Sequence, residues 1–183
     1  LGYSNPNTMN TARLQSKTHG VIDEYIRDLD HYTYEQLIAK PAPDQWSIGQ
    51  VYIHLWMSAK GFFFKKAELC LNKDGTEQGK SKNWKGHLVF LMGKMPTVQV
   101  KMPDKVAVEP RQPESKEQLI SKLNEIKQMS TDYIARIADA DLSHKAKHPI
   151  FSYLNTAEWI SLCNMHFRHH EEQKKRIRAH FGW

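Results

Sequence analysis

Two cysteines in 183 residues are too few for a disulfide framework. Cys70 and Cys163 sit in apolar, helix-like surroundings without CxxC spacing, so a reducing, cytoplasmic setting is expected. No run of eighteen apolar residues occurs, which leaves no candidate for a membrane-spanning helix and no membrane partner to expect. The opening LGYSNPNTMNTARLQ has no basic-then-apolar leader pattern. Translation is expected to begin at Met9, with Leu1 to Thr8 a disordered or added extension and residues 9–183 a single domain. The chain lacks GxSxG, a P-loop and GxGxxG, and HExxH fails because Phe167 follows His166, so the general base of a zincin is missing. Internal repeats and low-complexity segments are also absent.

The charge is modestly basic, +6, and much of the excess lies in the late segment EEQKKRIRAH. A basic last turn complements the helix macrodipole without any ligand. Nucleic-acid binding would call for a broad basic face or aromatic platforms between the charges. Lys174, Lys175, Arg176 and Arg178 are therefore read as a solvated helix end, with no nucleic-acid partner.

The 40% of residues that are hydrophobic suffice for one sizeable core, and their periodicity is helical. Leu14, Val21, Ile22, Tyr25, Ile26 and Leu29 form a stripe over a first helix, roughly Ala12 to Leu29. Thr33 to Gln36 can cap a short extra turn over Leu37 and Ile38, after which Pro41-Ala42-Pro43 predicts an extended crossing. Ser47-Ile48-Gly49-Gln50 is a capping box with Trp46 and Val51 as its staple. The second helix it opens, Ile48 to about Leu71, presents Val51, Leu55, Ala59, Phe62 and Phe63 to the core. Ser115-Lys116-Glu117-Gln118 opens a third helix carrying Leu119, Leu123, Ile126, Tyr133 and Ile137. Asn155-Thr156-Ala157-Glu158, stapled by Leu154 and Trp159, opens a fourth from Thr156 to about His180. Between helices two and three, Asn72 to Glu114 holds four prolines and four glycines, with HLVFLMGKM able to form a short helix or strand. So long a connection frees helix three to run parallel to helix two. The expected architecture is all-α, a four-helix bundle with a long crossover between helices 2 and 3.

Of the ten histidines, His166 and His170 share a helical stripe with core residues, and His54 flanks another. At 100° per residue, Trp159, Cys163, His166, His170, Gln173 and Ile177 fall within about ±40° of one direction, while His169 lies on the flank. His54 lies about 100° from the centre of its own apolar face, beside Val51 and Ser58, with Gly61 keeping that flank low. Imidazoles in an apolar stripe need partners. His144 and His148 have the same i, i+4 spacing, but Pro149 and the polar run SHKAKHP mark them as exposed loop residues. His54, His166 and His170 together make a His₃ set suited to Zn²⁺, Ni²⁺ or Fe²⁺ with positions left open for water or substrate. A thiolate from Cys163 would close that site and make it structural; the thiol otherwise reads as a small buried hydrophobe. Glu171 and Glu172 face away from the stripe.

WSIGQVYIHL, with a histidine seven positions after its Ser, and HPIFSYLNTAEWISLCNMHFRHHEEQ, with an H-x₃-H pair followed by Gln, resemble the second and last helices of the DinB-like (DinB/YfiT) superfamily. The resemblance runs over residues 9 to 180. It implies an up-down-down-up four-helix bundle, a divalent metal on His54, His166 and His170, and a homodimer. Members with assigned activity are mostly thiol S-transferases that join a low-molecular-weight thiol to an electrophile. A metal-dependent transferase or hydrolase acting on a small molecule is therefore expected, with Gln50, Tyr52 and Gln173 lining the site. The other reading is a non-catalytic, metal-stabilised helical module.

Overall fold

Asparagine, serine and threonine caps set where the helices begin. In the computed structural model, which describes residues 6–96 and 109–183, α1 (Pro6–Asp28) runs into a 3₁₀ turn, Leu29–His31. Thr33 and Gln36 cap the short α2 (Tyr34–Ile38) reciprocally, and Ser47 and Gln50 do the same for α3 (Ile48–Ser58). The proline-flanked crossing between them contains a turn, closed by the Gln45 N–H on the Ala42 carbonyl at 3.0 Å. Gly49 is required where α3 begins: a Cβ there would lie 2.6 Å from Pro113 and 2.8 Å from the Leu37 carbonyl. α1 starts at Pro6, earlier than its stripe suggests, and the first five residues of the expected extension lie outside the described residues.

The second predicted helix has its expected span but not its expected regularity. α3 passes through a π-helical turn, Ala59–Phe64, into α4 (Lys65–Asn72). The wider turn shifts the phase of the helix, so Phe63 and Phe64 are buried and Phe62, expected in the core, is only partly so. The long connection contains α5 (Trp84–Met92), capped by Asn83. Its inner face is Gly86 and Val89, while Trp84 and Leu91 stand 71% and 85% exposed, with Leu88 and Met92 beside them. Residues 97–108 of this connection lie outside the described residues.

Ser115 caps α6 (Lys116–Ile137), but Gln118 reaches the amide of Glu114, so the reciprocal half of the predicted box is displaced by one residue. A hairpin that the periodicity did not predict follows: β1 (Ala146–His148) pairs antiparallel with β2 (Ser152–Leu154), with His148 opposite Ser152. Asn155 and Glu158 form the predicted box on α7 (Thr156–Phe181), which ends at Gly182 with φ 73°.

Side-chain pairs fix the helix directions. Thr18 meets Asn164 and Asp28 meets Lys174, so α1 and α7 run parallel. His19 with Thr131 and Asp23 with Lys127 make α1 and α6 antiparallel. Trp56 with Glu125, Phe64 with Tyr133 and Asn72 with Arg136 make α3–α4 and α6 parallel. Cys70 with the Leu154 carbonyl, against Tyr52 with Lys174, makes α3–α4 and α7 antiparallel. The described residues are thus predominantly α-helical with one small sheet, and Tyr52, Leu55, Phe64, Leu119, Leu123, Trp159 and Phe167 are fully buried at the centre. No described helix is long and apolar enough to cross a membrane.

Candidate metal centre

The antiparallel contact of α3 with α7 brings His54 against His166 and His170. One ligand-type atom from each lies within 4.8 Å of the others, and the His54 and His166 Nε2 atoms are 3.1 Å apart. Ring centroids are separated by 4.5 Å within the α7 pair and by 4.7 and 5.2 Å from His54 to His170 and His166. His169 is outside the cluster, turned edge-on to His170.

Burial decides the charge of these rings. Desolvation lowers His54 to about 4 and His170 to about 3, and drives His166 well below its ordinary value, with the neighbouring histidines adding to the shift in His166 and His170. All three are therefore neutral near pH 7, each with a lone pair. The tautomer of His170 is fixed: Gln173 Oε1 accepts from Nδ1 at 2.8 Å, leaving Nε2 unprotonated and free to act as a ligand. Trp46 packs on His54 at 4.9 Å and Phe63 on His166 at 5.2 Å, which walls the cluster with apolar rings. The Ser58 hydroxyl stands 3.4 Å from His54 Nε2.

Two of the three donors are spaced as ligands of one divalent ion would be. Two nitrogens each about 2.0–2.1 Å from one ion, at angles between octahedral and tetrahedral, stand roughly 2.8–3.4 Å apart, and the two Nε2 atoms at 3.1 Å fall in that range. Cys163 is buried with its thiol pushed up by desolvation, and it is not among the clustered donors. Glu171 and Glu172 turn away, to Lys174 and Arg178 and to Lys175 respectively.

Of the expected lining residues only Gln173 touches a cluster histidine. Gln50 is committed to its cap, to Glu109 and to the Pro110 carbonyl. Tyr52 points to the other side of α3, where its hydroxyl is 3.0 Å from both the Tyr25 carbonyl and Asp28 Oδ2. The described ends of the long connection flank the site, with the Pro96 carbonyl hydrogen-bonded to the His169 ring and Glu109 at Gln50.

Two readings of charge and exposure are corrected. His148 is buried, not exposed: its Nδ1 accepts the amides of Ile150 and Phe151 at 3.1 Å and its ring stacks on Phe151. His144 is also engaged, with Thr76 and Gln78. The basic run is not simply a solvated end. Lys174 is 1% exposed, paired with Asp28 at 2.6 Å and Glu171 at 2.9 Å, and Arg178 joins Asp28, Glu171 and Tyr32. Lys174 lies about 60° from the centre of the α7 stripe, next to Phe167, and the Glu171–Lys174 spacing of i, i+3 was the sequence signal for it.

Two comparisons with known proteins bear on this chain. A sequence model of the DinB superfamily matches residues 16–173. No curated protein matches the chain.

Proposed function

Because the chain belongs to the DinB superfamily, we propose that His54, His166 and His170 hold a divalent metal, Zn²⁺, Ni²⁺ or Fe²⁺, at the heart of an up-down-down-up four-helix bundle. The protein is then a metal-dependent thiol S-transferase or hydrolase acting on a small molecule. The observation that carries this reading is the convergence of three neutral imidazoles from two helices within 4.8 Å.

A divalent ion with an open position supplies Lewis acidity, lowering the pKa of a thiol or of water enough to make a nucleophile near neutral pH. The protein's own part is orientation and exclusion. Gln173 holds the His170 proton on Nδ1, and Trp46 and Phe63 keep bulk water from His54 and His166. The Ser58 hydroxyl can donate to or accept from a substrate atom at the cluster. Cys163 is no candidate nucleophile, since burial holds its thiol protonated. Its place outside the donor group supports an open catalytic site over the closed, non-catalytic module.

Elemental analysis of the untagged protein, followed by assays pairing low-molecular-weight thiols with electrophiles, tests the reading. A protein that takes up metal but turns over neither a thiol with an electrophile nor a hydrolysable substrate belongs to the structural alternative. Gln173→Leu is expected to weaken metal binding by about 10–100-fold while leaving the fold intact, as loss of an orienting partner does elsewhere. Chelator competition measures it, and an unchanged affinity removes Gln173 from the centre.

We also propose that the chain pairs as a homodimer. Trp84, Leu88, Leu91 and Met92 on α5, with Ile150 near them, form the apolar surface such pairing would cover. Sedimentation velocity is expected to give a dimer that Leu91→Asp converts to monomer. A monomer at tens of micromolar wild-type protein sinks this proposal.

A further inference from the structure

Lys174 is the one Lys, Arg, Asp or Glu side chain that is buried among the described residues, and the proposed chemistry does not use it. Removing an ammonium from water costs several kcal/mol, and good partners are needed to offset it. It has them: Asp28 and Glu171 at 2.6 and 2.9 Å, the Tyr52 hydroxyl at 3.5 Å, and the face of the Tyr25 ring at 3.9 Å. Even so, replacing a whole buried ion pair by apolar side chains commonly costs no stability, whereas removing one partner alone strands the charge of the other. The best-attested use of a buried ionic group is to fix register.

The helices joined by this network are those that carry the histidines. Asp28 Oδ2 receives both Lys174 of α7 and the hydroxyl of Tyr52 of α3, tying both helices to the end of α1. Tyr52 is two residues before His54, and Lys174 is one turn after His170. Tyr25 adds a second tie, donating to the carbonyl of Phe167, the residue after His166, at 2.7 Å. A slip of α3 along α7 by one turn, about 5.4 Å, would destroy the 3.1 Å approach of His54 to His166.

We propose that the Lys174–Asp28–Tyr52 network sets the axial register of α3 against α7, and through it the spacing of His54 from His166 and His170. These three are positioning residues for the metal centre. The link to metal rests on the function proposed above; the register does not.

The test uses the full chain with Lys174→Met, Tyr52→Phe and, as a control, Lys175→Met, whose lysine pairs with Glu172 at the surface. Zn²⁺ affinity is measured by chelator competition, stability by thermal melting, and register by pulsed EPR between labels at Lys65→Cys and Arg176→Cys. Expected for Lys174→Met and Tyr52→Phe are a roughly tenfold or greater loss of Zn²⁺ affinity and a broadened or displaced distance distribution, with little change in melting temperature for Tyr52→Phe and a lowered one for Lys174→Met, which strands the Asp28 and Glu171 carboxylates. Lys175→Met should match the wild type in all three. Wild-type affinity together with a wild-type distance distribution in Lys174→Met and Tyr52→Phe overturns the proposal. If Lys174→Met does not fold, Tyr52→Phe, which loses a single hydroxyl, decides alone. If the wild type itself takes up no Zn²⁺, the metal reading fails separately and the distance distributions still decide the register.

Discussion

The purified protein is expected to carry close to one equivalent of a first-row divalent metal, and His166→Ala to carry none. His54→Ala and His170→Ala should behave in the same way, because the three donors form one cluster and each supplies one atom to it. His169→Ala should keep its metal, since that ring lies outside the cluster. Ligand loss should exceed the ~10–100-fold effect of losing an orienting partner. A stability readout follows by mass action: at a free metal concentration of about 100 Kd the bound ion adds roughly 2.7 kcal/mol. For a chain of this length that corresponds to about 5–10 °C in melting temperature. Chelator should therefore lower the melting temperature of the wild type by about that amount and leave His166→Ala unmoved. Absence of metal after reconstitution with Zn²⁺, Ni²⁺ and Fe²⁺ would remove the enzyme reading. Loss of metal from His169→Ala alone would show that the helical face has been misassigned.

The histidine cluster was legible because two signals of different range agreed. Local caps at Ser47 and Asn155 set the phase of α3 and α7, and apolar stripes then said which side of each helix faces inward. Helix directions were partly legible, since a long connection permits but does not require α6 to run parallel with α3–α4. The sequence did not disclose the π-helical turn. Three consecutive phenylalanines fit a regular helix as well as a widened one, and only packing chooses Phe64 over Phe62 for the core. The hairpin was hidden for a related reason: strands of three residues are too short for an alternating pattern to register. His148 and Lys174 were misplaced because polarity was taken as exposure. Each is buried through partners distant in sequence or supplied by the backbone, the Asp28 carboxylate in one case and the Ile150 and Phe151 amides in the other.

Acid should begin to destabilise the metal-free protein from about pH 6.5, before the carboxylates titrate, and His148 should account for a separable share. Burial, assisted by Lys66, lowers its pKa from the ordinary 6.5 to about 4. Between those two values the unfolded chain binds a proton that the folded chain refuses, so stability rises with pH across the window. The contribution is complete above about 6.5 and is lost as pH falls to about 4. A shift of this size corresponds to roughly 3 kcal/mol at most. The geometry gives the same sign, because protonating Nδ1 would break the two bonds it accepts from Ile150 and Phe151. His54 and His170, lowered to about 4 and 3 by the same desolvation, act in the same direction when no ion holds their lone pairs. Asp28 acts elsewhere: its partners hold its carboxyl below the ordinary 3.8, so its contribution persists above that value and is lost only in stronger acid. Urea unfolding in chelator, repeated from pH 7.5 to 4.5 for the wild type and His148→Asn, separates these terms. Asn keeps an acceptor for the two amides but has no proton to gain in this range. The stability lost by His148→Asn on acidification should be smaller than that of the wild type by up to about 3 kcal/mol. Parallel curves would mean that His148 takes up its proton at no net cost to the fold, and the acid sensitivity would then belong to the α3–α7 histidines alone.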